Sequence, residues 1–257
     1  PHPPLTFCWF VQEEIGLKGS NFVSKNTLGN PDLAFNWDGG SASNLVIGAT
    51  GAYRIKIEIE GIASHAGNAP EQGVSAIIIL SRALSDLDTR GWHGKITKGS
   101  KNGTSNVGIV SAGTATNIVT ESATLYAEAR SHDKLFRQRI VKEIRQAFKK
   151  SVASTINVEK GRGKVKITAK RDYESFKLMI TEPCVKVAAA AVRESGNYPQ
   201  YCLADGGLDA NSLCSKGIPT VTLGVGQRYA HTVKENLDLD EFEKSLQIAF
   251  NIATGLG

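Results

Sequence analysis

From Tyr53 to Glu60 the chain alternates apolar and charged residues without a break: Tyr53-Arg54-Ile55-Lys56-Ile57-Glu58-Ile59-Glu60. A period of two is the period of a pleated strand, so this segment predicts a sheet with one dry face and one wet face. The run Leu5 to Val11 has the opposite texture, apolar on both sides except at Thr6. Such a run predicts a strand in the middle of a parallel sheet covered by helices on both faces. Two textures call for two sheets. A chain of 257 residues, 41% hydrophobic and 21% charged, is long enough for two modest domains. The reading is an α/β domain, 1–50 with 177–257, interrupted by an α+β insertion over 51–176.

Within the insertion a helix is expected from Pro70 through Val74, Ile77, Ile78, Leu80, Leu84 and Leu87. Strand-like stretches follow at 106–110 and 123–130. A second helix carries Phe136, Ile140, Ile144 and Phe148, and an edge strand is expected from Val158 to Ala169. The order is βαββαβ, a ferredoxin-like module. In the flanking domain a short helix follows Glu13-Glu14, and a strand over Leu33–Trp37 ends at Asp38-Gly39-Gly40. Thr181-Glu182-Pro183 opens an Ala/Val-rich helix, and Ile218–Gly224 reads as a short buried strand. Asp240-Glu241-Phe242-Glu243 opens a last helix with Phe242, Leu246, Ala249, Phe250 and Ala253 on one face and Gly255 as its stop. The loop Pro1-His2-Pro3-Pro4 leads straight into a strand that needs neighbours on both sides, so the rest of its sheet is expected outside this chain.

The net charge is +5 with a pI near 9.0. The basic residues are scattered and lack the aromatic interleaving of a single-strand nucleic-acid binder, which argues against a nucleic-acid partner. No apolar run has the length of a membrane span, and no signal peptide is visible. Cys8, Cys184, Cys202 and Cys214 show no CxxC spacing and sit in apolar contexts, as reduced thiols of a cytoplasmic protein do.

The chemistry concentrates at strand ends. Glu13-Glu14 closes the first apolar run, Asp38 closes the second strand, and His231 follows the strand at 218–224 after a glycine-rich loop. Sites in open parallel sheets form at the carboxyl ends of strands. Carboxylates in a crevice cost free energy unless a metal or a reacting proton compensates them. Adjacent residues point to opposite sides, so one glutamate can ligate while its neighbour handles protons. Glu, Asp and His form a donor set for zinc, manganese or cobalt, and the reading is a hydrolytic metal site. Simpler roles stand beside these. The Glu pair also suits the acidic first turn of a helix, and His65 also suits a turn. Asn117 can satisfy a turn, and Arg130 can pair with Glu128 or Asp133. Asp209 and Asn211 can shape a tight loop.

Five ordered motifs carry a resemblance. Phe10 to Gly19 looks like the Glu-Glu motif of the two-metal zinc exopeptidase family of tripeptidase T, glutamate carboxypeptidase, aminoacylase and succinyl-diaminopimelate desuccinylase. Gly61 to Gly73 looks like its lid-domain His-Ala-Gly motif. Asp205 to Asn211, Gly217 to Val221 and Ala230-His231-Thr232 match its C-terminal signature in order. Gly113 to Val119 and Glu128 to Ser131 look closest to the tripeptidase-T-like branch. The resemblance implies a zinc-exopeptidase-like α/β catalytic domain, mostly parallel with helices on both faces, and a lid or dimerisation domain over 51–176. It implies that Glu13 is the general base toward a metal-bridging water, and that Glu14 and His231 ligate one divalent metal and Asp38 the other. It implies that His65 reaches a partner's active site to polarise the scissile carbonyl. Asn117, Arg130 and Asn211 would hold substrate, a short peptide or an N-acyl amino acid. Zinc is the metal implied, with cobalt or manganese as alternatives.

The family's His-x-Asp motif and bridging Asp precede its Glu-Glu motif, and no Asp precedes Glu13 here. His2 cannot stand in, since a strand between it and Glu14 would span about 20 Å. The chain thus holds three of five implied ligands. It reads as the C-terminal portion of a metal-dependent peptidase, impaired in metal binding as it stands. The competing reading is a non-catalytic dimerisation or peptide-binding module.

Overall fold

The computed structural model describes residues 2–255. It divides into two compact units, one of residues up to Thr50 and from Tyr173 onward, the other Gly51–Asp172. In chain order the elements are α1 (Lys18–Phe22), β1 (Ala34–Trp37), β2 (Asn44–Ala49), β3 (Gly51–Glu60), α2 (Ala76–Thr89), β4 (Gly94–Lys98), β5 (Lys101–Ala112), β6 (Ser122–Ser131), α3 (Lys134–Ser154) and β7 (Lys164–Tyr173). There follow β8 (Phe176–Lys177), α4 (Pro183–Glu194), β9 (Gln200–Ala204), α5 (Asp209–Ser215), β10 (Thr220–Leu223), β11 (Gln227–Arg228), β12 (Asn236–Leu237) and α6 (Leu239–Thr254). The α/β class with an inserted α+β unit is as expected.

In the inserted unit the sheet order is β4-β5-β6-β3-β7. Every second residue of β3 enters the core: Ile55, Ile57 and Ile59 pack with Ile79, Ala83 and Leu87 of α2 and with Ile140, Ile144 and Phe148 of α3. The βαββαβ reading missed β4, which hairpins onto β5 with Gly99 and Ser100 as a two-residue turn between paired Lys98 and Lys101. Gly99 takes φ +62, a value that hairpin turns of this length favour and that only glycine adopts cheaply. The expected helix start at Pro70 is also corrected. Pro70–Gln72 is a separate 3-10 turn, and α2 begins at Ala76 because the Ser75 hydroxyl accepts the Ile78 N–H. Val74 is taken by a bridge to Ile62, so it cannot join the helix. Ile77 and Ile78 lie on the open side of α2, and Ala76, Ile79, Ala83 and Leu87 form its buried stripe. The last strand runs Lys164–Tyr173 rather than from Val158, which is exposed ahead of a turn where Gly161 N–H donates to Asn157 Oδ1.

The other unit holds a sheet with β1 beside β10, β10 beside β2, and β2 beside both β8 and β9. The sheet expected to be mostly parallel has its longer ladders parallel and also carries two short antiparallel pairings. β1–β10 and β2–β9 are parallel, while β10–β2 and β2–β8 are antiparallel. A parallel return needs a crossover of a dozen or more residues, and the link between β1 and β2 is only Asp38 to Ser43. β10 is buried on both faces. Val221 and Leu223 meet α4 and α6, with Ile248 and Ile252 supplying the last helix's contact. Thr220 and Thr222 point the other way, and their hydroxyls are satisfied by Ile218 O and the Asn36 amide. The face expected for the last helix is therefore rotated: Leu246 and Phe250 are exposed, and the helix is capped by Asp238, whose carboxylate accepts the Glu241 N–H.

The strand expected over Leu5–Val11 does not form among the described residues. Backbone groups become a strand only when a neighbour completes the ladder, and none of the described strands pairs with this segment. It runs irregularly with Phe7 and Trp9 stacked on each other and largely exposed, and Cys8 is exposed with them rather than buried.

Leu125 of β6 is fully buried in the inserted unit whereas Ile109 of β5 is 60% exposed. Leu125→Ala is expected to destabilise by about 2–5 kcal/mol and Ile109→Ala by no more than about 0.5 kcal/mol. Urea titration of the two variants checks this, and equal losses would mean that the core is not where it is placed.

Candidate active site

Parallel pairing carries β1 and β10 to the same edge. The ladder continues one residue past β1, with Asp38 N–H donating to Leu223 O at 2.9 Å. Beyond it, Val225 N–H and Gly226 N–H donate to Gly39 O and Gly40 O, so the two loops run against each other. Gly224 makes that approach possible, since a Cβ there would lie 2.1 Å from Ser41 O. Glu241 ties the same loop to α6 by accepting from the Ser41 hydroxyl and the Ala42 N–H. Lys244 first, then Ser41, pull the Glu241 carboxyl down to about 2, so it remains ionised.

The second loop closes as the β11–β12 hairpin, which presents His231. Glu235 accepts from His231 N–H at 2.8 Å and from the Gln227 amide. Tyr229 and His231 take φ +57 and +62, in the left-handed region. Gln12 and Leu17, either side of the Glu pair, do the same at +57 and +54. Each such non-glycine residue costs roughly 1–2 kcal/mol and persists only where surroundings enforce it. Four of the six described residues of this kind thus flank Glu13-Glu14 or sit at His231.

Glu13 and Glu14 lie on a compact turn. Gly16 N–H and Leu17 N–H both donate to Glu13 O, and Gly19 N–H donates back to Val11 O. Glu14 Oε2 stands 3.7 Å from His231 Nε2, and both side chains are open to solvent. Glu13 is half-buried, and its pKa rises to about 7, foremost through burial and then through the charges of Asp38, Glu14 and Asp209, with His231 opposing. Asp38 is raised by burial, then by Asp209 and Glu14. Four carboxylates from three separate chain segments therefore share one region with one imidazole. Asp209, whose motif suits a tight loop, is the buried member. It is 9% exposed, its pKa is raised by burial, and its Oδ1 has no hydrogen-bond partner. The signal in sequence was only its place in Asp205-Gly206-Gly207-Leu208-Asp209, which does not reveal burial.

Asn211, placed with the substrate residues, is 1% exposed. Its amide donates to Thr50 O and Glu174 O, and its Oδ1 accepts from Leu208 N–H. Both amide hydrogens and one lone pair of this side chain are spent on backbone, so it braces the loop.

The inserted unit is distinct. His65 Nδ1 accepts from Gly67 N–H and Asn68 N–H, both at 3.1 Å. An acceptor at Nδ1 puts the proton of a neutral ring on Nε2, which is left as an outward donor. Asn117 is its neighbour: Ala66 N–H donates to Asn117 O, and His65 bridges Ile118. Arg130 lies at the other end of β6, paired with Ala52, and its guanidinium donates to Glu128 at 3.0 Å. The eight residue steps from Ser122 to Arg130 separate the two ends by about 27 Å, more than twice the roughly 10 Å of an extended tripeptide.

The fit to a metal can be judged on these atoms. Two ligand atoms about 2.1 Å from a tetrahedral zinc lie about 3.4 Å apart, and the Glu14–His231 separation of 3.7 Å is close to that. Donor type and spacing fit one side of an ion. Among the described residues, however, no three His, Cys, Asp or Glu side chains are grouped to hold one.

Residues 47–169 match the peptidase dimerisation domain of the M20 type. The uncharacterized protein YqjE of Bacillus subtilis is 31% identical over 252 residues, covering 98% of this chain and 64% of its own length. The chain is a homologue of the M20 peptidases. The crystal structure of aminopeptidase PepT from Bacillus cereus is similar with a TM-score of 0.81 and 31% identity, over 95% of this chain and 62% of that one. A tripeptidase structure from Staphylococcus aureus gives a TM-score of 0.82 at 31% identity over the same shares. The relationship to tripeptidase-like M20 proteins thus runs through both units, and the chain spans less than two thirds of the length of these relatives.

A carboxyl whose folded pKa lies above its unfolded value holds its proton more tightly in the fold. Stability from such a group is fully present at low pH and is lost as pH climbs through the raised value. For Glu13 the window runs from about 4.5 to about 7. The parent chain is expected to lose stability across that window and Glu13→Gln to lose less, with Asp38 and Asp209 retaining part of the slope. Urea midpoints at roughly pH 5 and pH 7.5 measure this, and identical slopes for parent and variant would contradict it.

Proposed function

We propose that this chain is the site-bearing portion of a metal-dependent exopeptidase of the tripeptidase type, acting on short peptides. The observation that carries the reading is the convergence of Glu13, Glu14, Asp38, Asp209 and His231, with Glu14 and His231 at an ion-spanning separation. M20 relatives that are peptidases by name support the class of reaction. Glu14 and His231 would hold one divalent ion, zinc first by donor type with cobalt or manganese also suited, and Asp38 a second. Such ions, if held there, would supply the Lewis acidity that makes water a competent nucleophile near neutral pH. The rest falls to the protein. Glu13, with a pKa near 7, takes a proton at its carboxylate and returns it to the leaving amine. His65, with Nε2–H outward, is suited to donate to the carbonyl oxygen as charge builds there. Asn117 and Arg130 are suited to substrate carbonyl and carboxylate groups, the guanidinium by a bidentate grip.

The remaining metal ligands are assigned to the length that M20 relatives have and this chain does not span. The chain by itself is proposed to bind metal weakly. The separation of Arg130 from His65 and Asn117 supports a homodimer in which two copies complete each site. A free edge supports it too: β4 pairs β5 only from Lys101 to Ser105, and beyond this Ile109 and Val110 are exposed. Free thiols at Cys184, Cys202 and Cys214 accord with the cytoplasm. A second reading, a dimerisation module without catalysis, is favoured by the lack of a three-donor group among the described residues.

Turnover of tripeptides by the full-length protein is expected to vanish with chelator and to fall about 10³-fold or more in Glu13→Ala. Unchanged turnover in that variant would refute the base assignment, and peptide turnover absent altogether would leave the module reading. N-acyl amino acids in the same assay distinguish an amidohydrolase. Sedimentation of the isolated chain is expected to show a dimer that Val110→Lys converts to monomer, and a monomeric parent would remove the two-copy site.

A further inference from the structure

The turn that presents Glu13 and Glu14 is held from outside, and the chain of contacts can be followed atom by atom. Gly16 and Leu17 are the peptide units whose N–H groups fold back onto Glu13 O, at 3.2 and 2.8 Å. Their own carbonyls are gripped in turn. Asn21 Nδ2 donates to Gly16 O at 3.2 Å, and the Ser20 hydroxyl lies 3.1 Å from Leu17 O. Both gripping residues belong to α1, a helix of five residues without a side-chain cap. So short a helix has no stability of its own. Its anchor is α5. The Ser212 hydroxyl donates to Asn21 Oδ1 at 2.9 Å, and the Lys216 ammonium donates to Ser20 O. Ser20 and Ser212 are 0% and 2% exposed.

The far end of the loop is closed as well. Gly19 N–H donates to Val11 O at 2.9 Å, and a Cβ at Gly19 would lie 2.7 Å from Val11 N and O. Residues 11–19 therefore form one closed ring of backbone, and any shift of α1 is passed to the Glu pair. The ring also stores strain, with φ +57 at Gln12 and +54 at Leu17, while Gly16 takes +105 without that cost. Strained turns hold their shape only where contacts outside them over-determine it.

We infer that Ser212 and Asn21 are positioning residues that hold the Glu13–Glu14 turn in its working geometry through the relay Ser212 Oγ–Asn21–Gly16 O. The inference rests on the proposed role of Glu13 as base. Neither residue touches the reacting atoms. Both act by fixing where the first carboxylate stands, and catalysis is sensitive to displacements of about 1 Å.

Two measurements separate this inference from the reading beneath it. Hydrogen exchange on the isolated chain needs no activity. Ser212→Ala and Asn21→Ala are expected to speed exchange at the Gly16 and Leu17 amides by about tenfold while α6 is unchanged. Unaltered exchange at those two amides would overturn the relay, whatever the enzyme does. In the full-length protein each variant is expected to lower kcat about tenfold with KM within about twofold, and the double variant to be no worse than either single one. Ser212→Thr, which keeps the hydroxyl, is expected to restore kcat. Multiplicative losses in the double variant, or kcat falling only in step with thermal stability without rescue by threonine, would make the contacts merely structural. Should Glu13→Gln retain full turnover, the base reading fails while the exchange result still decides the relay.

Discussion

The parallel pairing of β1 with β10 is the constraint on which the rest of the acidic region depends. Two strands running the same way end at the same edge, so Asp38 and the loop that leads to His231 leave the sheet side by side. Nothing in their numbering, nearly two hundred residues apart, requires this. The close passage of Gly224 by Ser41 and the hydrogen bonds from Val225 and Gly226 then lock the two loops together. Glu241 adds an ionised acceptor from the last helix.

Convergence creates an electrostatic difficulty. Glu13, Asp38 and Asp209 are each pushed upward by burial, Glu13 and Asp38 also by neighbouring carboxylates, with His231 opposing the shift of these two. A fold does not keep such a cluster for its own stability, because partly buried like charges cost free energy. The backbone at Gln12, Leu17, Tyr229 and His231 is strained in the same neighbourhood. Electrostatic and conformational cost in one place is the usual mark of a working site.

The inserted unit is built on the opposite principle. Its sheet and two helices bury one continuous apolar core in which Trp92, Phe136 and Phe148 join the aliphatic residues, and its polar features of interest lie at the ends of the sheet. His65 and Asn117 share one end because residues 61–66 and 117–121 continue the β3–β6 pairing beyond the strands. Arg130 is fixed at the other end by its partner Ala52.

How much of this was legible beforehand followed the range of the physics involved. Alternation in 53–60 is a local property, so the two-faced sheet and the helical stripes of the inserted unit could be read from residue order, although β4 could not. So could the ordered motifs around Glu13, His65, Asp209 and His231. Local pattern misled where an outcome depended on a distant partner. Leu5–Val11 has the composition of a buried strand but finds no ladder among the described residues, and β2 and β9 were missed because neither alternates clearly. The direction of β2 was set by a six-residue link, not by its own residues. Asp209 and Asn211 stand two apart on one turn of helix. Burial with an unmatched oxygen made the first a member of the acidic cluster, and three backbone bonds made the second a brace. Residue order determined which groups could do chemistry. Which of them met, and which were spent on holding the chain together, was decided only by the non-local packing of strands and helices.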